Sequence, residues 1–477
     1  MKMITKRGIF LWILAVAFLF GLGFMTYSLV ENGDTWVMKT YNTHIYKNGD
    51  LIGAGTIKSA DGAVLAETKD GKRVYAEDAT VRKATLHTVG DTKGFISSGI
   101  QSVYKADLTG YNLLFGVYSI ERYGKGNNMR LTIDSEVCAK AYSLLSDYKA
   151  GTVGVVNYKT GDIVCAVSTP SYDMEDEPSD LNTNSAYEGV YINRLMTGLY
   201  TPGSTFKLVT AACAIENIPD LMDRTWECTG EYDPGKGEPI RCNGVHGRLT
   251  FKQALAKSCN ATFAQIAIEL GPEKLASTVE TLGLTSRVTV SNKLNSEQGR
   301  FFLEKSDPDD YVGWTGIGQG DTLLPPIAML RYMAAIANDG KAVSFNEVNS
   351  LATQAGKALN LNITKNETQL LSTETAAQLK KLMRNNVKAQ YGEYNYKGLH
   401  LCAKSGTAEV DKDTDHNTAW FVGFMDDAKH PYAFVVVVEH GGSGSQTRVS
   451  NRGVPVDKNR RSRPGAGAAD RSGLRRL

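Results

Sequence analysis

The chain has 477 residues, of which 42% are hydrophobic and 22% charged, and its net charge is +2. That composition belongs to a folded protein with room for two or three domains and a core of ordinary size. It excludes a disordered chain and a fibrous repeat.

The first thirty residues stand apart. Lys2, Lys6 and Arg7 precede an unbroken apolar run from Gly8 to Val30. About 20 such residues suffice to cross the hydrocarbon core as a helix. Basic residues before the run, with Glu31 and Asp34 after it, predict a cytoplasmic N-terminus and a body outside the membrane. A cleaved signal peptide needs a shorter apolar core and a small-residue cleavage site. The run instead ends Phe24-Met25-Thr26-Tyr27, so residues 1–30 read as a retained single-pass anchor in the cell membrane. No second apolar run of this length occurs in the chain.

Residues 31–130 show short β-like stretches broken by Gly, Asn and Asp, as in Gly53-Ala54-Gly55-Thr56-Ile57, and read as a small pedestal domain. A larger domain is expected over 131–445. Asp134 is a plausible helix N-cap, followed by Val137, Ala141, Leu144 and Leu145 at helical spacing. Thr152 to Asn157 and Ile163 to Ser168 read as a hairpin. The middle is helical in pattern, most clearly at Ala254 to Leu270 and Ile327 to Asn338. Strand signals return at His400 to Ala408, Thr418 to Met425 and Tyr432 to Glu439. Two early strands and three late ones, with helices between, describe an α+β domain whose single sheet is split across the sequence and carries a helical insertion. Residues 446–477 are atypical. From Arg448 onward nine basic residues face two acidic ones, with no apolar periodicity, so this tail is expected to be disordered. Having no aromatics, it points to no nucleic-acid partner.

Seven cysteines leave at least one thiol unpaired within the chain. Cys228 and Cys242 flank the Gly/Pro-rich loop Asp233 to Gly237 and are expected to form a disulfide in an oxidising compartment, two free thiols being the other possibility. No CxxC or HxxxH accompanies them, so the spacing predicts no zinc site. His246 and His440 read as structural rather than as bases, Asp307, Asp309 and Asp310 as a solvated loop rather than a cation site, and Tyr391 to Tyr396 as a packed loop rather than the border of a substrate groove.

The chemistry lies in Thr201-Pro202-Gly203-Ser204-Thr205-Phe206-Lys207. On a helix, residues three apart share a face, so Lys207 reaches the Ser204 hydroxyl. Serine is a poor nucleophile until a nearby base takes its proton, and a desolvated lysine near another cation can supply a neutral amine. A lone S-x-x-K is weak: Ser102 with Lys105 and Ser146 with Lys149 match it too. Ser204 is distinguished by two later motifs in fixed order, Ser258-Cys259-Asn260 and then Lys404-Ser405-Gly406-Thr407 at the start of a strand. Lys159-Thr160-Gly161 precedes Ser204 in a hairpin turn, and Ser344-Phe345-Asn346 lies in a polar connection, so neither duplicate fits the order.

With these motifs the chain resembles the transpeptidase domain of class B (monofunctional) penicillin-binding proteins, from the anchor to about Ser445. Leu131-Thr132-Ile133-Asp134, Asn193-Arg194, Gly316-Ile317-Gly318-Gln319-Gly320 and Trp420-Phe421-Val422-Gly423-Phe424 look like stretches of that family as well. The resemblance implies a β-lactamase/transpeptidase-like fold with a five-stranded antiparallel sheet, flanking helices and a helical subdomain. It implies catalysis by Ser204, Lys207, Ser258, Asn260 and Lys404, with substrate and oxyanion binding at Ser405, Gly406 and Thr407. The implied reaction acylates Ser204 with D-Ala-D-Ala stem peptides of peptidoglycan and cross-links them, without cofactor or metal. β-Lactams are the implied covalent inhibitors, and a glycosyltransferase of wall synthesis the implied partner. Competing readings are a β-lactamase or D,D-carboxypeptidase, and a non-catalytic penicillin-binding scaffold; the intact motifs argue against the scaffold. A C-terminal helix normally closes this fold, and the basic tail stands in its place. The tail is therefore expected to come from a reading-frame change or an artificial junction, leaving the Val435 to Val438 strand under-covered.

Overall fold

The computed structural model describes residues 2–441 apart from 44, 48–49, 52, 114–115, 117–125, 362–364, 397 and 410–416; beyond residue 441 it describes two short strands, Thr447–Val449 and Pro455–Asp457. The apolar run forms one helix, Lys2–Val37. From Thr5 to Val37 it is long and apolar enough to cross a membrane, and none of its most apolar stretch is buried against the rest of the protein. Its large side chains are exposed, Trp12 and Phe20 by more than 70%. Exposed apolar surface on that scale needs a lipid or protein partner.

The larger domain is built on the expected five-stranded antiparallel sheet. Its order is Leu401–Ala408, Thr418–Met425, Tyr432–Glu439, Ala150–Asn157, Ile163–Thr169. The early hairpin thus completes a sheet begun by the last three strands. Tyr432 pairs with Asn157 and Glu439 with Ala150 across the junction. Helix Pro326–Ala337, apolar nearly all round, is buried against the three central strands, and Ser135–Leu145 packs on the hairpin. Asp134 caps the latter helix by accepting from Val137 N at 3.0 Å. The cover is complete over Val435 to Val438, each at most 1% exposed. The expectation that this strand would be under-covered is not met.

Three further sequence expectations are modified. The span Ala254 to Leu270 is two helices, Phe251–Lys257 and Asn260–Leu270, broken where Ser258 takes a left-handed conformation (φ +56°). The pedestal segment contributes Ile57–Lys58, Val64–Lys69, Lys72–Tyr75 and Asn127–Leu131 to a six-stranded sheet. That sheet is completed by Val348–Thr353 and Ala358–Leu359 returning from the larger domain. In the tail, Thr447–Val449 pairs with Pro455–Asp457 as a ribbon where disorder was expected; the rest of 446–477 lies outside the described residues.

A charged tie locks the approach to the nucleophile onto the sheet. Arg194 Nε donates to Glu439 Oε1 at 2.7 Å, and Tyr200 Oη donates to the same oxygen at 2.6 Å. Arg194 is almost fully buried, whereas Glu439 is partly open to water. Replacing Arg194 by Met leaves that carboxylate with a single neutral donor. We expect a loss of about 2 kcal/mol, below the usual range for a fully buried pair because water reaches one partner; urea unfolding of R194M against the parent checks it.

Candidate active site

Ser204 sits on a turn made by its neighbours. Gly203–Thr205 forms one turn of 3-10 helix that runs into helix Lys207–Asn217. Gly203 has φ +53°, and a Cβ there would collide with Thr407 O, so the residue before Ser204 must be glycine. Gly406 answers from the strand side: a Cβ on it would press on Pro202 O at 3.0 Å and Thr205 N at 3.1 Å. These two glycines let the nucleophile turn lie against the edge strand Leu401–Ala408. Trp420, buried in the adjacent strand, ties the same turn to the sheet by donating from Nε1 to Thr201 O at 3.0 Å.

Ser204, Lys207, Ser258, Asn260 and Lys404 are brought together, as expected. Lys207 is fully buried. Its Nζ lies 3.0 Å from Ser204 Oγ, 2.9 Å from Ser258 O, 3.3 Å from Ser258 Oγ and 2.6 Å from Asn260 Oδ1. Asn260 is oriented by donating from Nδ2 to Arg241 O at 2.9 Å, which leaves its Oδ1 for the lysine. Ser258 Oγ is also 3.0 Å from Lys404 Nζ, so one hydroxyl bridges two amines. The left-handed backbone of Ser258, uncommon for a residue with a Cβ, makes this bridge possible at the end of helix Phe251–Lys257.

Burial pushes the Lys207 ammonium down to about 8. Burial, then the neighbouring Lys207, holds Lys404 well below the ordinary lysine range. Two adjacent buried ammonium groups oppose each other, so the pair favours one neutral amine near neutral pH. When the neutral amine is Lys207, its neighbours suit it. Ser258 O and Asn260 Oδ1 can only accept, so they take two N–H groups of a neutral amine. The remaining lone pair is left for the Ser204 hydroxyl, which is the arrangement of a general base on a nucleophile.

On the edge strand, Ser405 and Thr407 are half-buried. Tyr391 Oη lies 3.1 Å from Ser405 Oγ and accepts from Ser405 N at 2.8 Å. The sequence pattern favours packing for Tyr391 over a place at the border of a substrate groove. Its ring does pack edge-on against Phe421, but its hydroxyl belongs to the site. The Tyr-rich stretch is its one local signal, and composition alone does not say which ring reaches the site. The decoys stay away: Ser102 Oγ donates to Ile96 O, Ser146 Oγ to Ser143 O, Lys159 Nζ to Asn338 Oδ1 and Ser344 Oγ to Asn366 O. Asp310 is not merely solvated, because its Oδ2 accepts from Glu238 N at 2.9 Å.

The expected Cys228–Cys242 disulfide is absent, and both residues are free thiols. They gather with Cys259 and His246 directly behind Ser258 and Asn260.

Residues 151–454 match the family described as the penicillin binding protein transpeptidase domain. The peptidoglycan D,D-transpeptidase PbpA of Mycolicibacterium smegmatis is 27% identical over 389 residues, 73% of this chain and 76% of the relative. PbpA of Mycobacterium tuberculosis is 29% identical over 315 residues; the matched region covers 61% of this chain and spans 62% of that relative's length. Among solved structures, the ceftriaxone acyl-enzyme of penicillin-binding protein A from M. tuberculosis superposes with a TM-score of 0.71 at 24% identity, covering 82% of this chain and 94% of that one.

A base that works only when neutral sets a pH profile. Modification of Ser204 by a serine-acylating probe should slow about tenfold per pH unit below about 8 and level off above it, because protonation removes the Lys207 lone pair. Stopped-flow rates against pH test this. K207M should lose the rise and fall about a hundredfold or more at the plateau.

Proposed function

The chain belongs to the penicillin-binding protein transpeptidase family as a class B member, and on that premise we propose that it is a membrane-anchored peptidoglycan D,D-transpeptidase with Ser204 as its nucleophile. The observation that carries this reading is the buried Lys207 amine, 3.0 Å from Ser204 Oγ and shared with Ser258 and Asn260.

Each step then has an atom to perform it. Ser204 Oγ attacks the carbonyl carbon between the two terminal D-alanines of a stem peptide, and its proton passes to neutral Lys207. The tetrahedral intermediate carries its negative charge on the former carbonyl oxygen. The backbone N–H groups of Ser204 and Thr407 are assigned to that oxyanion. In an antiparallel strand a residue directs its N–H and C=O to the same edge. Thr407 O abuts the Gly203 turn on the open edge, which supports an N–H facing the nucleophile. Collapse of the intermediate breaks the C–N bond. The leaving D-alanine amine takes the proton from Lys207 by way of Ser258 Oγ, which lies within reach of both lysines. A stem-peptide amine from a neighbouring strand then attacks the Ser204 ester and gives up a proton by the same relay. An amide cross-link forms and Ser204 is restored.

Lys404, Ser405 and Thr407 are assigned to the terminal carboxylate of the donor. A carboxylate beside Lys404 offsets the burial that depresses its charge, so substrate binding favours the ammonium form. Asn260 holds the peptide backbone as well as Lys207, and Gly406 keeps the groove open beside Thr205. β-Lactams present a strained amide in place of the D-Ala-D-Ala bond and should trap Ser204 as an ester.

The helix Lys2–Val37 supports anchoring in the cell membrane. Lys2, Lys6 and Arg7 assign the N-terminus to the cytoplasm and the catalytic body to the outside, where the wall is built. The reaction consumes glycan strands already polymerised, so a glycosyltransferase is assigned as the partner that supplies them. Residues 31–130 are assigned to the pedestal and 131–445 to the catalytic domain.

Intact mass spectrometry of the detergent-solubilised chain with penicillin G decides the central point. One penicilloyl group per chain is expected, mapped to the peptide containing Ser204, with none on S204A. Steady hydrolysis of the penicillin without an adduct would instead support a β-lactamase. Residues 1–30 should be dispensable for this labelling: deleting them is expected to release the protein from membranes and leave the adduct intact.

A further inference from the structure

We propose that Cys228, Cys242, His246 and Cys259 bind one structural zinc ion, which holds the Ser258–Asn260 segment in position against Lys207. This goes beyond the transpeptidase reading, which calls for no metal.

Four side chains from separate segments converge. Cys228 ends strand Thr225–Cys228, Cys242 follows Ile240–Arg241, His246 precedes Gly247–Thr250, and Cys259 is the N-cap of helix Asn260–Leu270. Each offers one ligand atom, and the four atoms all lie within 4.8 Å of one another. Zinc bonds sulfur at about 2.3 Å and imidazole nitrogen at about 2.0–2.1 Å, so a tetrahedral site has S···S edges of about 3.8 Å and S···N edges of about 3.6 Å. Cys242 Sγ is 3.8 Å from Cys259 Sγ, and His246 Nδ1 is 3.5 Å from Cys242 Sγ and 3.6 Å from Cys228 Sγ. Three edges of the polyhedron are therefore at zinc dimensions.

The alternative of a disulfide requires sulfurs about 2.05 Å apart, and every cysteine here is free. Two hydrogen-bond donors face the sulfurs. Asn260 N donates to Cys242 Sγ at 3.3 Å, and Thr262 Oγ1 donates to Cys259 Sγ at 3.3 Å. Such outer hydrogen bonds orient metal ligands and stabilise their charge. Three thiolates and one imidazole in a closed tetrahedron select zinc over hard cations, and leave no open position for catalysis. Chain spacing conceals the site, because the four ligands spread over 32 residues from Cys228 to Cys259 and meet only when the ribbons fold back.

The location gives the ion its purpose. Cys259 lies between Ser258 and Asn260, both of which touch Lys207 Nζ. The Asn260 backbone bonds Cys242 Sγ, and its side chain bonds the carbonyl of Arg241, the residue before that same ligand. The four ligands are thus positioning residues: they act on the nucleophile through Ser258 and Asn260. Ligation also keeps the three thiols from pairing outside the membrane.

The test uses the full chain, solubilised and purified without chelator. Elemental analysis should find one zinc per chain, released by a mercurial thiol reagent and detected with a colorimetric chelator. Exchange with Co2+ should produce the thiolate-to-cobalt charge-transfer band and the visible absorption of a tetrahedral site. C228S and H246A should lose most of the zinc and be acylated by penicillin about tenfold to a hundredfold more slowly. H246C, which restores a four-ligand set, should recover both zinc and rate. The proposal is overturned if reduced wild-type protein neither carries zinc nor takes up Zn2+ or Co2+, if H246A keeps its zinc, or if peptide mapping finds a disulfide among Cys228, Cys242 and Cys259. Metal content and cobalt spectra are read without any wall substrate, so their failure is distinct from a failure of penicillin to label Ser204.

Discussion

A primary amine kept out of water is the condition on which this protein rests. Exposed, the Lys207 side chain would remain protonated at neutral pH and could take nothing from Ser204. Buried with two acceptor-only oxygens, Ser258 O and Asn260 Oδ1, it can hold a lone pair on the serine hydroxyl. The second buried amine, Lys404, acts in the same direction, since two neighbouring charges in a desolvated pocket cost more than one. An unpaired buried charge is expensive, so these amines need the surrounding polar atoms to be placed before they can be tolerated.

That requirement explains why the three motifs come from three different kinds of element. A helix start supplies Ser204 and Lys207 on one face. A broken helix supplies Ser258 and Asn260 from the other side, and a sheet edge supplies Lys404. The helix start and the sheet edge could not approach each other with ordinary side chains at Gly203 and Gly406, where added carbon atoms would meet Thr407 on one side and Pro202 and Thr205 on the other. Packing density, rather than chemistry, selects glycine at both places. The sheet provides the rigidity: its central strands are covered by a helix apolar nearly all round, and Trp420 and Glu439 fasten the Ser204 segment to it.

The cysteine and histidine cluster extends the same logic one layer outward. Segment 225–250 packs behind the Ser258–Asn260 break, where a left-handed serine interrupts two helices. A break of that kind needs support from its surroundings. Hydrogen bonds from Asn260 to Arg241 O and to Cys242 Sγ supply part of it, and the proposed ion would supply the rest.

Much of this was legible in the residues. Apolar run length announced the anchor, period-two and period-3.6 patterns announced the sheet strands and helices, and the order of three short motifs picked out Ser204 from its look-alikes. These are local signals, set by hydropathy and by residues a few positions apart. Tyr391, the six-stranded pedestal sheet with its strands from 348–359, the split at Ser258 and the convergence of Cys228, Cys242, His246 and Cys259 were decided only by the tertiary structure. Each depends on which distant segments lie side by side, and pairing across tens or hundreds of residues leaves no periodic trace along a single chain. The sequence by itself therefore determined which atoms could react, while the fold decided which of them meet and which are held out of water.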